Sequence, residues 1–107
     1  MTAIETIKDG STSYMTIDFH GSDGVTPTSP ISATWELIDR TSNTVVQVAT
    51  PITPIAATVT ITIPSSLNTM LNQYIYREYR RVIVRATYGV DDVIVESYDY
   101  IIINEER

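Results

Sequence analysis

Residues 58–63 read Thr-Val-Thr-Ile-Thr-Ile, so Val59, Ile61 and Ile63 fall on one face of an extended chain and the threonines on the other. That period-two alternation predicts a half-buried strand of an antiparallel sheet. Arg81-Val82-Ile83-Val84-Arg85-Ala86-Thr87-Tyr88 predicts a second, longer strand, and Gly89-Val90-Asp91-Asp92 a tight turn. Residues 93–103 then return with dense β-branched and aromatic content. They do not hold one parity, because Val93, Val95, Ile101 and Ile103 oppose Ile94, Tyr98, Tyr100 and Ile102. A bulge, or burial of both faces against a neighbour, would produce such a pattern.

The same reading extends toward the start of the chain. Residues 3–7 suit a short edge strand, and residues 13–20 alternate Met15, Ile17 and Phe19 with Thr16, Asp18 and His20. Residues 20–30 are rich in Gly, Ser, Asp, Thr and Pro, which favour turns and interrupt ladder hydrogen bonds, so a loop of about ten residues is expected. Residues 32–39 form another strand with Ala33, Trp35 and Leu37 on one face, and a turn over 39–43 leads to its hairpin partner at 44–49. Pro51 and Pro54 mark a crossing segment. Between residues 64 and 73 the period changes, and serines ahead of Leu67, Met70 and Leu71 suggest a short helical turn that plugs the core.

About seven strands with a tryptophan on the third predict an all-β, immunoglobulin-like antiparallel β-sandwich with Trp35 in its core; a small barrel is the structural alternative. Composition agrees, with 43% hydrophobic and 19% charged residues and an abundance of Thr, Ile, Val and Tyr. At 107 residues the chain suits a single domain over 1–107. The net charge of -6 argues against a nucleic-acid backbone or an anionic membrane as partner, since both reward clustered cations. Without cysteine, stability has to come from packing. No apolar run reaches signal-peptide or membrane-span length, which predicts a soluble chain made in the cytoplasm.

Candidate chemistry is sparse. His20 is the single histidine, so a Ser-His-Asp or Cys-His arrangement has little to draw on, and no enzyme activity, metal or cofactor is expected. Asp18, Asp23, Asp91 and Asp92 lie near expected loops without the spacing of a calcium loop, and turn preference explains Asp23-Gly24 and Asp91-Asp92 more simply. The distinctive feature is Arg77, Arg80, Arg81 and Arg85, four of the seven basic residues, interleaved with Tyr74, Tyr76 and Tyr79. Arginine and tyrosine are favoured in interfaces. Arg77, Tyr79, Arg81 and Arg85 are therefore the candidate partner contacts, with Asp23 and Asp91 as weaker ones at opposite loop ends; a solvated basic face is the plainer reading.

Asp23-Gly24 followed by Thr26-Pro27, then Ser32-Ala33-Thr34-Trp35-Glu36-Leu37-Ile38-Asp39 and Val45-Val46, resembles a pattern in small immunoglobulin-like proteins of tailed phages and prophages. The similarity continues through residues 59–64 and 80–88. The resemblance implies a virion component that decorates or cements a capsid, or serves as a neck or tail accessory, by contact with other virion proteins or with copies of itself. It transfers no catalytic residue. The competing expectation is a carbohydrate or cell-surface recognition module built from the 20–30 loop and exposed tyrosines.

Overall fold

The alternating runs find one another as partners. The computed structural model describes residues 5–21 and 24–104. Its strands are β1 (Glu5–Lys8), β2 (Ser13–Asp18), β3 (Ser32–Asp39), β4 (Thr44–Pro51), β5 (Thr58–Ile63), β6 (Arg77–Gly89) and β7 (Asp92–Ile103), with a 3-10 turn at Ser65–Asn68. One sheet has the order β1-β7-β6-β3-β4, and the other pairs β2 with β5. The chain is thus an all-β sandwich of two sheets. Its β4-β3-β6-β7 order is that of the C′, C, F and G strands of a variable-type immunoglobulin domain, with β2 and β5 in the places of B and E. Pairing is antiparallel except between β1 and β7, which run parallel from Glu5↔Tyr100 to Lys8↔Ile103.

The core forms where the inward faces meet. β5 contributes Val59, Ile61 and Ile63 as its alternation predicts, β3 contributes Ala33, Trp35 and Leu37, and β6 contributes Val82, Val84 and Ala86. Ile17, Phe19, Met70, Tyr100 and Ile102 complete most of the cluster. Fully burying a side chain of this size is worth roughly 1.5–3 kcal/mol, so these positions dominate the stability of the fold.

Three segments differ from the sequence reading. The helical turn expected over 64–73 is confined to Ser65–Asn68, preceded by Pro64 with no side-chain cap. Met70 is buried but Leu71 is exposed, and Asn68 is buried instead. β6 starts at Arg77, ahead of the strand read from Arg81 onward; Glu78 and Arg80 occupy inward positions, and charged residues there hide a strand from a hydrophobicity pattern without preventing it. β7 has no internal bulge: its register with β6 is continuous from Arg77↔Ile103 to Thr87↔Val93, shifting only between Thr87 and Gly89 at the turn. The broken parity has another cause. Val93 and Val95 point to the outer face; on the inward face Tyr100 and Ile102 are covered, while Ile94 and Tyr98 stay exposed because the smaller sheet has two strands and the larger five. At the hairpin tip Asp91 adopts the left-handed conformation, with φ 62°, that Asp tolerates in turns. Residues 3 and 4 of the expected first strand lie outside the described residues.

Candidate functional site

On β6 the odd-numbered residues point away from the core, which brings Arg77, Tyr79, Arg81, Ile83 and Arg85 onto the outer face of the large sheet. Cross-strand register sets what each one meets. Arg81 lies opposite Asp99 of β7 and grips its carboxylate with two hydrogen bonds, Nε to Oδ1 at 2.8 Å and Nη2 to Oδ2 at 3.1 Å. Arg40 approaches the same carboxylate at 3.6 Å. Those hydrogen bonds, followed by the guanidinium charges, hold the Asp99 carboxyl below its ordinary value. Arg85 Nη1 donates to Glu36 Oε1 on β3 at 2.8 Å. Arg77 has no carboxylate partner among the described residues, and its guanidinium lies 5.5 Å from the Tyr76 ring centroid.

The face is therefore amphipathic, with its strand charges largely neutralised inside the chain. Half-buried Ile38, Ile83 and Ile101 lie between the ion pairs, and exposed Tyr79, Val93 and Val95 extend the apolar area. Of the expected contact residues, all four share this face. Asp91 sits at the distant turn, and Asp23 lies outside the described residues.

Arg80, grouped with the others by sequence, points the opposite way and is fully buried. It donates to Leu67 O at 2.7 Å, Thr69 O at 3.1 Å and Glu78 Oε1 at 3.0 Å, and its Nε faces Asp39 Oδ1 at 3.5 Å. Glu78 in turn accepts the backbone N–H groups of Leu71 and Asn72. Nearby, buried Asn68 donates to Ser11 O and Ser13 Oγ and accepts the Tyr100 hydroxyl at 2.7 Å. Burial pushes the Tyr100 phenol up to about 12, against the opposing pull of Arg80. This polar network ties the 64–76 crossing segment to both sheets. Its role is structural, since a buried cation needs this many acceptors to be tolerated.

A cleft of about 370 Å³ opens at the other end of the sandwich. Val84, Ala86, Ile94, Glu96 and Tyr98 form its floor, while Ile17, Asp18, Phe19 and His20 lie along its wall. His20 is half-buried there and forms an isolated bridge with Pro27. Partial burial, followed by the negative charges of Glu96 and Asp18, holds the Tyr98 phenol above its ordinary value. Asp18 accepts the Thr58 hydroxyl at 2.9 Å. Sequence reasoning missed this cleft because it depends on how far β2 and β5 extend over β6 and β7, and no local pattern encodes that. Among the described residues no group of three or more His, Asp or Glu side chains is arranged to hold a metal ion.

Comparison with family models, curated proteins and solved structures finds no match for this chain.

Proposed function

We propose that this protein is a non-enzymatic contact module and, following its resemblance to small immunoglobulin-like phage proteins, a virion structural component at the capsid, neck or tail. The observation that carries the proposal is the outer face of the large sheet, where Arg77, Tyr79, Arg81 and Arg85 stand among exposed or half-buried aliphatic side chains. Arg81 and Arg85 are already paired within the chain. A neighbour meets two arginines already fixed by carboxylates, together with Tyr79 and the isoleucines; Arg77 remains to engage an acidic group across the interface. Immobilised arginines lose less side-chain entropy on contact than free ones. Partners on this reading are other virion proteins or further copies of the chain, and the location is the virion.

Purified particles from the cell that encodes the chain are the direct test. Mass spectrometry should find the chain at a fixed ratio to the major particle proteins, and particles assembled with Arg77→Glu/Tyr79→Ser should lose it. Its absence from particles refutes the virion reading. Retention of the doubly substituted chain refutes the assignment of this face. A second reading, carbohydrate recognition, is favoured by Tyr88, Tyr98 and two carboxylates lining the cleft. Saccharide binding to the isolated chain, with no incorporation into particles, would establish it instead.

A further inference from the structure

The small sheet ends early on one side. β2 pairs with β5 and has no strand along its other edge among the described residues, so alternate backbone N–H and C=O groups of β2 are left open to pairing. Beside that edge, three successive inward-facing residues of β7 are uncovered: Ile94 is 39% exposed, Tyr98 is 36% exposed, and Glu96 between them is exposed as well. In a complete sandwich these positions would face the opposite sheet. The cleft lies over this uncovered stretch, and an extended chain about 5 Å from β2 would lie within it.

Charge narrows what can enter. The described residues lining the cleft include the carboxylates of Asp18 and Glu96 and no Lys or Arg. Glu96 forms no ion pair among the described residues, in contrast to Glu36 and Asp99 on the outer face. An entirely apolar strand would strand the Glu96 carboxylate in a dry interface, a heavily penalised arrangement. A strand with a cation between two apolar residues on its inward face would satisfy Ile94, Glu96 and Tyr98 together.

From these observations we infer that the cleft is a strand-acceptor site: it takes an extended segment of a partner protein, added to the free edge of β2, whose inward positions read apolar, Lys or Arg, apolar. A folded second copy is a poor donor. In this sequence a basic residue with apolar residues two places to each side occurs at Arg77, between Ile75 and Tyr79, and at Arg81, between Tyr79 and Ile83. Both lie on β6, an interior strand of the large sheet. The site is separate from the outer face, so its failure would leave that surface standing, and the reverse.

The test uses the isotopically labelled chain and two synthetic peptides of about nine residues, alternating Val and Thr, one with Lys and the other with Glu at the central inward position. Amide shifts should move along β2 and residues 94–98 with the Lys peptide. Glu96→Lys, a change at an exposed position, should weaken that peptide about tenfold and make the Glu peptide the better ligand. Equal affinity for both peptides, shifts confined to the outer face, or no binding by the Lys peptide would each overturn the inference. So would an oligosaccharide that moves the same amides when the Lys peptide does not.

Discussion

Replacing Arg80 with methionine keeps much of its aliphatic volume and removes a guanidinium that is 0% exposed. Lost with it are the hydrogen bonds to Leu67 O at 2.7 Å, Thr69 O at 3.1 Å and Glu78 Oε1 at 3.0 Å. Glu78 and Asp39 are each 1% exposed and so recover no water when the cation goes. Removing one partner of a buried ion pair costs about 3–5 kcal/mol, a large part of the roughly 5–15 kcal/mol that holds a domain together. Urea unfolding followed by the fluorescence of Trp35, the one tryptophan and a core residue, gives a direct assay. With a slope of about 2 kcal/mol per molar urea, the midpoint should fall by about 2 M. The triple change Asp39→Asn/Glu78→Gln/Arg80→Met removes every charge of the cluster and should recover much of that loss, because uncharged replacements of a buried network are often close to neutral. A shift below about 0.5 M for Arg80→Met would refute the argument that this network anchors the crossing segment.

Two further outcomes follow from the same structure. Burial raises the Tyr100 phenol to about 12, so the folded chain retains a proton that the unfolded chain releases near pH 10; this contribution is fully present below about pH 10 and is lost as pH rises toward 12. Tyr100→Phe should flatten that alkaline decline, and urea midpoints that fall identically for both chains would count against it. At the hairpin tip, where Asp91 has φ 62°, Asp91→Ala should cost about 1 kcal/mol and Asp91→Gly should cost nothing or stabilise. Equal melting temperatures for the two would contradict that account.

The fold was legible wherever alternation was strong. Val59, Ile61 and Ile63 declared the inward face of β5, and Ala33, Trp35 and Leu37 that of β3, because one side of each strand meets core and the other water. The first part of β6 was hidden, since Glu78 and Arg80 reverse the usual sign of an inward position. What satisfies them comes from the backbone of residues 67–72, a tertiary arrangement with no local signature. The candidate contact residues show the same division. Sequence grouped the arginines by proximity, but only the paired sheet reveals that Asp99 stands directly opposite Arg81 and that Glu36, opposite Ile83, lies diagonal to Arg85. The mixed parity of residues 93–103 signalled two exposed faces and not a bulge; the deciding quantity is the width of the facing sheet, which no single strand records.

Val93-Ile94-Val95 is a strongly β-prone run of that hairpin, and it is exposed. Such a segment is a template for runaway stacking between identical molecules. Asp91 and Asp92 precede it and Glu96 follows it, so two copies brought into register there confront carboxylate with carboxylate. These residues act as gatekeepers. The negative charge beside the uncovered strand thus has a colloidal role as well as a recognition role, keeping the chain dispersed at high concentration while leaving the strand accessible to a cationic guest.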